Sequence, residues 1–256
     1  MSNKKEREKR REERVAQEAS AASGDRRTRV LQIGAGAVFL AIIAVVVVIV
    51  VAGSSSDSGG DAENISEVSQ VDSLVAGVPQ SKLVLGKASA PVELIEYGDL
   101  QCPVCKTYSE EFLPEIVEKQ VKEGKARIIF RNFLIIGPQS LPAGAAAIAA
   151  GNQGVGWTFL ELWYRNQGEE NSGYATDEFI EAVAKSAGVK DMAQFNKERK
   201  SKAVEEEAER TTEQAQTLGF EGTPSFAIKG PNSNGLELLG TPESVEQFEE
   251  AIQQAS

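Results

Sequence analysis

The chain has 256 residues, with 38 acidic side chains against 27 basic ones, a formal net charge of −11 and no histidine. That balance argues against nucleic acid as a partner of the chain as a whole. The missing imidazole excludes Ser-His, Cys-His and His-metal arrangements, so any cysteine chemistry must be activated by backbone dipoles, lysine, arginine or carboxylates.

Residues 1–29 carry ten Lys/Arg against six Asp/Glu, interspersed and with few apolar side chains, and read as a disordered basic tail. Beside it, Val30 to Ala52 has no charged residue and a single amide, Gln32. As a helix this stretch reaches roughly 34 Å, enough to cross a bilayer. A cleaved signal peptide has a shorter apolar stretch, about 7–15 residues. A buried core helix is rarely apolar on every side. Residues 30–52 are therefore expected to form one transmembrane helix, an uncleaved anchor in the lipid bilayer. Arg26, Arg27 and Arg29 precede it, whereas Asp57, Asp61, Glu63 and Glu67 follow it before the first basic residue, Lys82. The positive-inside rule then puts the N-terminus in the cytoplasm and the rest outside. The run KKEREKRREER is a topology determinant with affinity for anionic lipid.

Residues 53–77, rich in Gly, Ser and Asp, read as a flexible linker. The triplet at Asn64 is a glycosylation pattern only in a eukaryotic secretory setting. The globular part is expected to begin near Val78. PVELIEY, Pro91 to Tyr97, is a strand bounded by proline and glycine. A helix runs from Cys102 toward Gly124, with Phe112, Ile116 and Val117 on one side and a kink at Pro114. KARIIFRNFLI is a second strand. From Leu141 to Leu218 the pattern is helical, with Thr176 as an N-cap and Gly188 as a helix end. PSFAI and GLELLG are two short strands around KGPNSNG. A last helix is capped by Thr241 with Pro242 at its first position.

This order is α/β. The strand–helix–strand unit needs parallel strands and a right-handed crossover, and the late hairpin is antiparallel. A mixed four-to-five-stranded sheet with helices on both faces satisfies it. The helical block, about 138–218, is too long for a loop and reads as an inserted subdomain. Trp157 and Trp163 are placed in its core. GNQGVG has the wrong spacing, and no preceding strand, for a dinucleotide site.

The two cysteines, Cys102 and Cys105, flank Pro103 and Val104. A structural zinc site wants four Cys or His ligands, and this chain offers two sulfurs. A purely structural disulfide across so small a loop stabilises little. The redox reading fits the position. At a helix N-terminus free N–H groups and the helix dipole favour a thiolate, lowering a cysteine pKa from about 8.5 to somewhere between roughly 3.5 and 7.5. Pro103 suits the first turn, where its missing N–H costs nothing. Cys102 is then the exposed, attacked sulfur, and Cys105, one turn on, the resolving one.

VELIEYGDLQCPVCKTY resembles the active-site segment of the DsbA-like branch of the thioredoxin superfamily. The helical block falls where that branch inserts a helical domain. EGTPSF resembles its cis-proline loop, which implies a cis Thr223-Pro224 bond facing the cysteines and binding substrate. Glu96, six residues before Cys102, sits where the branch often has a buried acid. Alternation alone does not choose between Glu93, grouped with Ile95 and Tyr97, and Glu96, grouped with Val92 and Leu94. The resemblance covers about Val78 to Ser256. At Val104 the strongest oxidants of the branch have a histidine that helps hold the thiolate, and valine offers no donor.

The expectation is a membrane-anchored thiol–disulfide oxidoreductase on the outside of a bacterial cell, oxidising exported proteins. The resemblance implies reoxidation by a membrane quinone-linked protein. No metal or organic cofactor is expected beyond the Cys102–Cys105 disulfide. A reductase or isomerase using the same pair, and a non-catalytic anchored thioredoxin-like binding module, are the alternatives.

Overall fold

The structure is a computed structural model that describes residues 64–256. The tail 1–29, the segment 30–52 and the first part of the linker lie outside the described residues. Among the described residues no helix is long and apolar enough to cross a membrane. The stretch read as linker does not stay open to its end. Val68–Val75 forms a helix, α1, with Val71 and Val75 buried. Val68, Val71, Leu74 and Val75 keep helical spacing, but over only two turns, and the core they pack on fixes the helix.

Two short strands follow, β1 (Gln80–Ser81) and β2 (Val84–Leu85), paired as a hairpin around Lys82. The backbone turns there with Lys82 at φ +52°. β3 (Val92–Gly98) comes next. A continuous helical run, α2, covers 103–121: Pro103–Thr107, a π-helical turn Tyr108–Phe112, Leu113–Ile116, and a second π-helical turn Val117–Val121. The interruption expected at Pro114 is taken up by the wide turn before it, because a proline inside a helix clashes with the carbonyl one turn back. β4 is Ala126–Asn132. Five helices fill the stretch between β4 and the next strand: α3 (Ser140–Asn152), α4 (Gly156–Arg165), α5 (Asp177–Ser186), α6 (Met192–Glu198) and α7 (Lys202–Thr217). β5 (Ser225–Lys229), β6 (Glu237–Gly240) and α8 (Val245–Ala255) end the chain.

The sheet has six strands, in the order β1-β2-β4-β3-β5-β6. The four-to-five strands expected are corrected to six by the β1–β2 hairpin. Two-residue strands are too short to carry alternation, and Lys-Leu at the turn lacks the Asn-Gly or Asp-Gly signal. β3 and β4 are parallel, and β5 runs antiparallel on the other side of β3. The mixed sheet and its helical insertion are as read from the pattern, and their thioredoxin-like arrangement is as the resemblance implies.

Both faces of β3 are covered, which explains its nearly continuous burial. On one face Val92 and Leu94 join Ile128, Phe130, Phe226 and Phe248 in the larger core. On the other, Ile95 and Tyr97 pack with Ile129, Phe133 and Ala215 of α7. Trp157 and Trp163 are fully buried in the insertion's core. The Ala-rich α3 is buried on nearly all sides, since small side chains let its neighbours come close. At Gly156, which opens α4, a Cβ would sit 2.4 Å from the Lys82 carbonyl oxygen, so only glycine fits where the insertion meets the hairpin.

Thr176 caps α5 as expected, accepting from the Phe179 amide at 3.2 Å, and Gly188 turns beyond its end at φ +86°. Thr241 does not cap the last helix. α8 starts later, at Val245, because the Thr241 hydroxyl donates instead to the Pro224 carbonyl at 3.0 Å.

Candidate active site

β3 ends at Gly98 and the chain enters a buried loop, Asp99-Leu100-Gln101, before α2. Asp99 organises it. Its Oδ1 accepts from the Gln101 amide at 2.9 Å, and its Oδ2 accepts from the amides of Ile135 and Ile136 at 3.0 and 3.1 Å. One carboxyl thus ties the loop after β3 to the loop after β4. This is also why the second strand stops at Asn132 rather than running to Ile135.

The insertion grips the same loop. The Leu100 carbonyl accepts from Trp163 Nε1 at 2.8 Å, Gln167 Nε2 at 2.7 Å and the Tyr174 hydroxyl at 3.1 Å. Gln167 Nε2 also reaches the Cys102 carbonyl at 3.2 Å. None of Asp99, Trp163, Gln167 or Tyr174 was marked by sequence as belonging to the site. Apart from the Gln101 amide two residues beyond Asp99, the backbone atoms they hold lie far along the chain, which no local pattern reveals.

Cys102 is the N-cap of α2, with Pro103 at the first helical position. Its Sγ accepts from the Cys105 amide at 3.3 Å. Both cysteines are free thiols in this structure. Hydrogen bonding from Cys105, both side chain and amide, and from Thr223 and the Val104 amide outweighs burial and holds the Cys102 thiol down at about 6. Cys105 shows the reverse. Burial first, then the neighbouring Cys102 and Glu96, push its thiol well above the usual range.

The expected exposure of Cys102 is corrected. It is only 3% exposed, and Cys105 is fully buried. The cause is the loop before β5, which lies across the sulfur: Cys102 Sγ donates to the Thr223 carbonyl at 3.3 Å. The Thr223-Pro224 bond is cis. The antiparallel register of β5 on β3, with Tyr97 opposite Ser225, brings this loop to the start of α2. Val104 projects beside it and is 49% exposed, an apolar surface next to a shielded sulfur.

Beneath the cysteines, Glu96 faces the larger core and is buried, while Glu93 pairs with Arg127 on the other face. Burial, reinforced by Glu161 and Cys102, pushes the Glu96 carboxyl up to about 8. Tyr108, Phe226 and Phe248 pack around it, and the Tyr108 hydroxyl donates to the Pro242 carbonyl. The structure therefore brings Glu96, Cys102, Pro103, Val104, Cys105, Thr223 and Pro224 to one end of the sheet. Among the described residues no three His, Cys, Asp or Glu side chains converge as a metal site would require.

A pair of thiols of unequal acidity, at a helix start and under a cross-chain loop, can exchange disulfides. The comparisons with known proteins agree with that chemistry. A family model described as Thioredoxin matches residues 79–254. The chain is 33% identical over 153 residues to the probable disulfide bond formation protein D of Bacillus cereus, covering 59% of this chain and 71% of that protein. The structure of BdbD from Bacillus subtilis in its oxidised form matches with a TM-score of 0.61 at 21% identity, over 70% of this chain and 96% of that one. Alpha-DsbA1 of Wolbachia pipientis matches with a TM-score of 0.58 at 21% identity, over 70% and 91% of the two chains. Those two structural likenesses show the fold. The chain belongs to the thioredoxin family, within its DsbA-like group of protein-disulfide oxidoreductases.

Proposed function

We propose that this protein oxidises the thiols of exported proteins outside a bacterial cell, using Cys102-Pro103-Val104-Cys105 and held at the membrane by residues 30–52. The observation that carries the oxidative direction is the split between the two sulfurs. A thiolate on Cys102, favoured down to about pH 6, stabilises the dithiol product of the reaction. A stabilised dithiol makes the disulfide a strong oxidant.

In the reaction a substrate thiolate attacks the Cys102 sulfur, and the Cys102–Cys105 bond breaks. Its electron pair passes to Cys105, which takes a proton from Glu96, the buried acid whose charge acts on that thiol. A second substrate thiolate then attacks the substrate sulfur of the mixed disulfide and expels Cys102 as a thiolate. The substrate loses two electrons and two protons. The cysteine pair gains the two electrons, both substrate protons go to solvent, and Cys105 holds the proton that left Glu96. Val104 and the Thr223-Pro224 loop receive the extended substrate strand. A membrane quinone-linked protein withdraws the electrons again, and the anchor keeps the two together. The exchange needs no metal or organic cofactor.

The test is the reduction potential of the pair, measured by equilibration with glutathione. Without a histidine at position 104 it should fall between the values of about −270 mV for thioredoxin and about −120 mV for the strongest oxidants. A value at or below that of thioredoxin points to a reductase instead. A membrane-impermeant thiol reagent should label reduced Cys102 in intact cells. Labelling only after lysis overturns the outward orientation.

A further inference from the structure

The proton given by Glu96 has to be replaced, and a small cavity lies beside Glu96. That cavity has a volume of about 20 Å³. Such a space holds one water molecule. Its lining is apolar apart from Glu96, Ser109 and Tyr108, and the Tyr108 hydroxyl is already committed to the Pro242 carbonyl. Ser109 is the polar exit. Its hydroxyl donates to Glu161 Oε1 at 3.0 Å. Glu161, on α4, is 1% exposed and receives Arg165 at Oε2, at 2.8 Å. Arg165 Nε lies 3.3 Å from Glu67 Oε2, whose side chain is half exposed beside α1. A line of polar groups thus runs from the cavity beside Glu96 into the insertion and ends at the Arg165 guanidinium, which stays charged and passes no proton.

We propose that Glu161 is a second proton station, which passes its proton to Glu96 through Ser109 and the water-sized cavity as Glu96 protonates Cys105. This rests on the disulfide-exchange reading and adds a residue from the helical insertion to it. A buried ion pair is a poor source of stability, since apolar replacement often costs nothing. Retaining an acid there fits a role in moving protons. Burial lifts Glu161 to about 7, against the pull of Arg165, and Glu161 is the first charged neighbour that lifts Glu96. Burial thus favours the protonated form of both acids. The groups facing Glu161 are Arg165 on its own helix, Ser109 and Glu110 on α2, and Glu96 on β3. Those facing Glu96 are Glu161, Cys102, Cys105, Tyr108 and Tyr164.

The experiment uses the full chain with Cys102–Cys105 oxidised, mixed with dithiothreitol, following reduction by tryptophan fluorescence. Rates are taken for wild type, Glu161→Gln, Glu161→Asp and Ser109→Ala, from about pH 5.5 to about pH 9. The variant-to-wild-type ratio cancels the titration of the reagent. Glu161→Gln and Ser109→Ala should be slower by about tenfold near neutrality, a modest share of what general acid–base groups contribute. The deficit should shrink at low pH, where solvent protons are plentiful, and Glu161→Asp should recover part of the rate. Ratios near one, or flat across pH, in both Glu161→Gln and Ser109→Ala overturn the relay. If Glu161→Gln does not fold, Ser109→Ala decides, because it leaves the Glu161–Arg165 pair in place. If wild type itself does not exchange with dithiothreitol, the disulfide-exchange reading fails and the relay with it. Exchange by wild type with flat ratios leaves that reading standing and removes only the relay.

Discussion

The Cys102 sulfur and the Thr223 carbonyl oxygen lie 3.3 Å apart, although 121 positions separate the two residues in the chain. Thr223 presents two groups of opposite preference to that sulfur. Its carbonyl accepts from the neutral thiol. Its hydroxyl, buried with no other partner, can donate to the thiolate, which favours the charged form and helps hold the Cys102 pKa down.

Thr223→Val keeps the carbonyl and removes the hydroxyl. The Cys102 pKa should rise by up to about one unit, as expected for the loss of one hydrogen bond to a charged form. The pH dependence of iodoacetamide alkylation, or of thiolate absorbance, reads this directly. A curve identical to wild type would show that the hydroxyl plays no part.

The two sulfurs should behave differently when removed singly. Cys105→Ala should accumulate mixed disulfides between Cys102 and client proteins, visible as high-mass species on non-reducing gels. Cys102→Ala should accumulate few, since the remaining thiol is fully buried and held protonated. Equal trapping by both variants would contradict the assignment of roles.

Glu96 makes a pH-dependent contribution to the stability of the dithiol form. Its folded pKa is raised to about 8, so its contribution is intact below the unfolded value and is lost as pH rises toward 8. Relative to an unfolded value of about 4.3, the loss by pH 7 is on the order of 3 kcal/mol. Glu96→Gln should therefore be more stable than wild type near pH 7 and no different near about pH 4. Urea unfolding of both proteins at the two pH values checks the sign. A constant difference across pH would assign the effect to packing.

How much of this was legible beforehand depended on the range of the interaction. Cys102, Pro103 and Cys105 are neighbours, and a helix start follows from their own pattern. The strands around them are apolar runs with clear ends. Thr223-Pro224 and Glu96 came from resemblance alone, since two glutamates on opposite faces of one strand look alike until the sheet is assembled. The shielding of Cys102 was missed because it comes from a loop on the far side of the insertion. Glu161 was missed for a related reason. GWTFLELWYRNQ is amphipathic with one acid inside its apolar face, and nothing local distinguishes a buried glutamate from one at the helix edge.

Asp99 is the clearest case of a residue with no local signature and a large expected effect. Asp99→Ala would leave the amides of Gln101, Ile135 and Ile136 without their acceptor. The buried Gln101 amide so stranded costs about 1–3 kcal/mol, and the half-buried amides of Ile135 and Ile136, which water can reach, cost less. The variant should lose about 2–3 kcal/mol, and hydrogen exchange at Ile135 and Ile136 should accelerate first. A variant as stable as wild type would mean that water reaches those amides in its place.

The three donors converging on the Leu100 carbonyl make the helical insertion part of the chassis that holds the nucleophile. Trimming the chain to a bare sheet with its flanking helices would strand that oxygen and uncover the strand-to-helix junction two residues before the reactive sulfur. The smallest working unit of this protein therefore includes the insertion. A hinge that swung it aside to admit a client would loosen the sulfur it was meant to present, so room for large substrates has to come from the opposite rim, where Val104 already stands clear.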